Sequence, residues 1–162
     1  KKEKIIKKEE VAIKKKKNVN EEISKQVIID KETEITKTTI DDREVPVARV
    51  TFHHGSVQLS NDDISKIKNV ANLFIQNEGK KIVIVGHASS RTNYDMDLTK
   101  HALVNFNISL ERARKVMKQF SSIGLNSKNI ELVAMSDAKP LYAEIMPSLE
   151  AANRRAEIFI KY

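Results

Sequence analysis

The chain has 162 residues, no cysteine and a net charge of +7, which is length enough for one domain with a real core and a tail beside it. Without cysteine it holds neither a disulfide nor a thiolate metal site, though this leaves the compartment open. No apolar run reaches about 18 residues, so no segment reads as a membrane-spanning helix; because the sequence begins at Lys1, a leader or lipid-bearing residue would lie upstream of it.

The charge is uneven. Residues 1–20 hold nine lysines against three glutamates, whereas residues 21–47 hold eight acidic residues against four basic ones. Such a basic stretch suits contact with anionic lipid, nucleic acid or an acidic polymer, and equally suits a solvated tether. Val27-Ile28-Ile29 and residues 34–40 are β-branched enough to add a strand. Pro46 marks the boundary, giving a flexible charged tail over 1–45 and a domain over 46–162.

Residues 47–52 alternate as a strand, with Val50 and Phe52 on one face, and Gly55 ends it. Ser60-Asn61-Asp62-Asp63 reads as a helix start, with Ser60 or Asn61 as cap and carboxylates in the first turn. Ile64, Ile67, Val70, Ala71 and Phe74 follow at helical spacing, and Gly79 is the expected left-handed stop. Ile82 to Val85 form a continuous apolar strand. A helix is expected from about Ser109 to Ser122, with Leu110, Ala113, Val116, Met117 and Phe120 inward and Gly124 after it. Strands over 129–135 and 155–162 complete a βαβαβ order. The fold class is α/β (α+β), a two-layer sandwich with a mixed sheet.

If Ser109 caps its helix, Arg112 falls at the third position, where a cation meets the positive end of the helix dipole. An arginine beside free backbone amides makes sense when a carboxylate docks there; an exposed arginine paired with Glu111 is the plainer alternative.

Three motifs carry a resemblance: Gly86-His87-Ala88-Ser89, then Asn105-x-x-Ile108-Ser109-x-x-Arg112-Ala113-x-x-Val116, and finally Asn153-Arg154-Arg155. Their order and spacing resemble the OmpA-like domain of outer membrane protein A, peptidoglycan-associated lipoprotein and the flagellar stator protein. The resemblance implies non-covalent binding of peptidoglycan, with Arg112 gripping a carboxylate of diaminopimelate in the stem peptide and Ile108 and Ser109 shaping the pocket. It also implies that Asn105 braces the loop, and that Asn153 and Arg154 brace first and touch the rim second. The family pattern has an aspartate, which meets the ligand's ammonium, where this chain has Ser89. A hydroxyl offers no charge, so that contact loses about 1.5 to 3 kcal/mol unless another group supplies it. The long stretch between Gly86 and Asn105 holds Asp95 and Asp97 as candidates for that role, and Arg91 as a partner for a second ligand carboxylate or for those aspartates. An acidic loop facing solvent is the alternative.

The implied setting is the periplasm of a Gram-negative bacterium, at the outer membrane or cell envelope, with membrane contact only through the tail or a segment upstream. A rival keeps the fold as a structural module docked to an envelope protein. Enzymatic readings find little footing: a Ser89, His87 and Asp97 or Asp137 triad lacks a nucleophile elbow. Glycines at 55, 79, 86 and 124 make no phosphate or dinucleotide loop, and histidines 53, 54, 87 and 101 lack zinc spacing, so no cofactor or metal is expected. Eight aromatics without a clustered motif argue against specific nucleic-acid recognition.

Overall fold

The computed structural model describes residues 44–91 and 96–162, so the expected tail, its strand-prone stretches and Asp95 lie outside the described residues. Four strands, β1 (Ala48–Thr51), β2 (Lys81–Gly86), β3 (Ile130–Ala134) and β4 (Arg155–Lys161), alternate with three helices. These are α1 (Asn61–Gln76), α2 (Leu98–Ser122) and α3 (Pro147–Asn153). The sheet order is β1-β4-β2-β3; β2 and β3 are parallel, and β4 runs antiparallel to both β1 and β2. This is the mixed sheet of a two-layer α/β domain.

Alternation explains the layers. Val50, Ile82, Ile84, Ala156 and Ile158 turn one face toward Ile67, Val70, Ala71 and Phe74 of α1 and Ala113, Val116 and Phe120 of α2. The helices bury most of the stripes that their spacing predicts, but Ile64 and Leu110, expected to point inward, are only half-buried and stand outside the core cluster. α1 begins at Ser60 with a reciprocal cap: Ser60 Oγ accepts from Asp63 N at 3.1 Å, and Asp63 Oδ2 accepts from Ser60 N at 3.4 Å. Ser60→Ala is expected to lower the free energy of unfolding by about 1 kcal/mol in a urea titration.

Two expectations about glycine and helix ends need correction. The left-handed residue after α1 is Glu78, with φ of 52°, and not Gly79. Gly79 is small for another reason: a Cβ there would lie 2.4 Å from the Phe74 ring. The second helix begins at Leu98, eleven residues before Ser109. Nothing between Gly86 and Gly124 is glycine or proline, so no residue type stops the helix from starting early. The βαβαβ order also gains α3, which opens with Pro147 in its first turn. No helix among the described residues is long and apolar enough to cross a membrane.

Because β1, β2 and β3 point the same way, their carboxyl ends and the start of β4 meet at one edge of the sheet. Segments 52–56, 87–91 and 135–146 all gather there. This is the edge where an α/β sheet leaves a crevice.

Candidate functional site

The edge is closed by one very near approach. A Cβ on Gly86 would sit 1.9 Å from the Ser109 carbonyl oxygen, so only glycine lets α2 cross the end of β2 this closely. Ser109 is fully buried; its Oγ donates to Phe106 O at 2.8 Å and accepts from Ser136 N at 3.2 Å. It ties the end of β3 to the helix. Ser109 is therefore an interior helical residue, not a cap, and it offers no free amides. The cap position is Asp97, whose side chain makes no capping bond.

Arg112 stands in mid-helix, where the dipole argument does not apply. It is 1% exposed, which excludes the surface arginine, and its neighbour Glu111 pairs with Arg114 instead. Arg112 Nη1 donates to His87 O at 2.8 Å, Nε donates to Ser56 O at 3.4 Å, and the guanidinium lies 5.4 Å from the Phe52 ring centroid. Burial, with repulsion from Arg154, pushes its pKa down to about 10, so it remains a cation at neutral pH. Among the described residues, no carboxylate forms an ion pair with it. A buried cation with only carbonyls and a ring around it is costly unless an anion arrives.

Beside it lies a second cluster. Arg154 Nε donates to Phe52 O at 3.2 Å and its Nη1 to Glu150 Oε1 at 2.7 Å. Glu150 Oε2 accepts from Arg91 at 2.9 Å, and His54 Nδ1 stands 4.0 Å from Oε1. The Arg91 hydrogen bond, opposed by burial and reinforced by Arg154's charge, holds the Glu150 carboxyl below the usual carboxylate range.

Ser89 is buried, and Ser90 locks the turn that follows: its N and Oγ donate to the two oxygens of Glu144 at 3.0 and 2.7 Å. Asn153, fully buried, donates to Glu144 Oε1 and to Tyr142 O and accepts from the amides of Leu141 and Tyr142. Asn105 Nδ2 is 3.1 Å from His101 Nε2, which also lies 3.1 Å from Ser90 O. Ile108 is half-buried on α2.

The structure thus brings Arg112, Ser109, Ser89, Asn105, Arg91 and Arg154 to one edge. It does not bring Asp97 there: the residue is exposed, and fourteen helical residues lie between it and Arg112, roughly 22 Å of rise. Glu144, Glu150, Phe52 and Ser56 were not foreseen. One signal for Glu150 was present, since Pro147 and the Glu150/Arg154 spacing mark a short helix whose acid meets a base one turn on.

The sheet's other face carries a buried ionic row. His87 Nε2 is 3.4 Å from Glu157 Oε2, without the alignment of a hydrogen bond, and neither ring nitrogen has a hydrogen-bond partner. Burial pushes the imidazole pKa down. Burial would also push Glu157 up, but contacts with His87 and Arg49 and the charge of Arg155 outweigh it and hold Glu157 at about 2. Both groups bind protons more readily unfolded than folded, so both contribute stability that is lost on acidification. The His87 part fades as pH falls below about 6.5, the Glu157 part between about 4.5 and 2. Chemical denaturation followed from pH 8 to 3 should therefore fall in two stages, and His87→Gln should remove the upper one.

The model of the OmpA family matches residues 51–155. The peptidoglycan-associated lipoprotein of Burkholderia pseudomallei has a similar structure, with 20% identity, 70% of this chain and 89% of that chain covered, and a TM-score of 0.61. The C-terminal domain of Helicobacter pylori MotB is similar at 20% identity, 72% and 85% coverage, and 0.59. The cell wall anchor of the T6SS from Pseudomonas aeruginosa gives 20%, 67% and 72%, and 0.53. At these identities the likeness is one of fold. No curated protein matches the chain in sequence.

Proposed function

Because the chain belongs to the OmpA family, we propose that residues from about 46 onward bind peptidoglycan non-covalently through a stem-peptide carboxylate, with residues before them as the tether. The observation that carries this reading is Arg112: a buried guanidinium with no carboxylate partner among the described residues. An incoming carboxylate would supply the missing countercharge in a dry setting, where such a hydrogen bond is strong. Arg154, whose charge acts on Arg112, stands beside it and, like Arg91, is paired with Glu150. The printed names of two similar structures, a peptidoglycan-associated lipoprotein and a cell wall anchor, point the same way. The role is anchorage rather than catalysis, in the periplasm of a Gram-negative envelope.

The test is a titration of labelled protein with a diaminopimelate-containing stem peptide. Saturable shifts at Ser89, Ser109 and Arg112 are expected; none at millimolar peptide would retire the reading. A second reading, docking to an envelope protein, draws on the exposed Leu141, Tyr142, Ile145 and Met146 in the segment that supplies Glu144. In that case substitutions at Tyr142 and Ile145, but not the peptide, would change the chain's association with its partner.

A further inference from the structure

A stem-peptide carboxylate on diaminopimelate comes with an ammonium on the same carbon. Arg112 and its neighbour Arg154 repel that charge, so a site that binds the free amino acid head must place a carboxylate nearby. Ser89 is not one. Two acids at this edge are already committed. Glu150 holds Arg91 and Arg154, and Glu144 receives both Ser90 donors and Asn153.

Asp137 is differently placed. Among the described residues its Oδ1 accepts only from the adjacent Ser136 hydroxyl, at 3.0 Å, and its Oδ2 lies 3.9 Å from His101 Nε2. That same nitrogen is 3.1 Å from Ser90 O, which sets Asp137 beside the turn that carries Ser89. The Asp137 side chain is 26% exposed and open to a ligand. The residue before it is held unusually: Ser136 has φ of 52°, its N donates to Ser109 Oγ, and its O accepts from Ala88 N at 2.7 Å. A non-glycine residue in the left-handed region, fixed on both sides by the two motif segments, sets the direction in which Asp137 leaves the strand.

We infer that Asp137 is the carboxylate that receives the ligand's ammonium, in place of an acid at residue 89. This rests on the peptidoglycan reading and adds its specificity. A charged amine would bind at Asp137, with Asn105 and His101 packed behind it. An amine acylated by a cross-link has no charge to offer and would lose the contact.

The experiment uses the full chain and one stem tripeptide in two forms, with the amine of the distal diaminopimelate centre free or acetylated. Calorimetry of the wild type should show the free form bound about tenfold to a hundredfold more tightly, the range for one charge-assisted hydrogen bond. Asp137→Asn, which keeps an oxygen for Ser136, should bring the two affinities together by weakening only the free form; Asp137→Glu should restore part of the preference. An Asp137→Asn protein that keeps the wild-type ratio, or a wild type with no preference, overturns the assignment while leaving carboxylate binding standing. If neither peptide binds the wild type, the peptidoglycan reading falls and the role of Asp137 with it.

Discussion

Arg112→Met is expected to abolish carboxylate binding and leave the fold in place. The methionine keeps an unbranched apolar stem in the buried site and gives up the guanidinium that lies over the Phe52 ring. It removes a buried charge that nothing in the described structure neutralises. The cost is two carbonyls, His87 O and Ser56 O, that lose a donor. The gain is relief of a buried, unpaired cation, and the two are of similar size, so the melting temperature should move by only a few degrees. Binding is another matter. Truncating one partner of a desolvated charge pair costs about 2 to 5 kcal/mol, or roughly thirty- to several-thousand-fold in affinity. Arg112→Lys should fall between, since an ammonium keeps the charge but cannot bond two carbonyls and a carboxylate with one planar fork. Calorimetry and thermal melts on the three proteins separate the outcomes. A methionine variant that binds as the wild type would place the ligand elsewhere.

The same arginine shows what the sequence could and could not carry. The Asn105 to Val116 motif singles it out, but the helix amino terminus that its spacing suggests is absent, and the residue lies buried in mid-helix. Ser109 marks no helix start because Asn105, Phe106 and Asn107, though modest helix formers, interrupt no backbone bond, and the helix runs unbroken from Leu98. The start of α1 is legible to the residue because its cap is local: Ser60 and Asp63 satisfy each other without help from the rest of the fold. The partners around Arg112 had no such local trace. Phe52, Ser56 and His87 reach it across the chain, and Glu150 meets Arg91 from 59 residues away. Charge sign is visible in a sequence, whereas which acid is spent on which base is a property of the fold. Asp97 stands close to the motif in sequence and exposed in the fold, whereas Asp137, distant in sequence, is brought near Ser90 through His101.

Gly86 couples the fold to the site, and Gly86→Ala should be the most damaging single methyl in the domain. The added Cβ would meet Ser109 O at 1.9 Å, Ser109 C at 2.8 Å and Ala113 N at 3.3 Å. These are backbone atoms of α2, so no side-chain rotation relieves the clash. The helix must move off β2, and the bonds that depend on its seating go with it: Ser109 Oγ to Ser136 N, and Arg112 to His87 O. Overpacking of this kind costs about 3 kcal/mol or more, a fall of some ten degrees in melting temperature for a domain of this size. Gly55→Ala is the matched control. Its Cβ would meet nothing within 4 Å, and only its φ of 63° opposes the change, a penalty of about 1 kcal/mol. If Gly86→Ala melts with Gly55→Ala, the helix yields easily and the site does not depend on this contact. If it melts far lower, and folded protein recovered in the cold still binds stem peptide weakly, then the seating of α2 on β2 sets both stability and the position of Arg112.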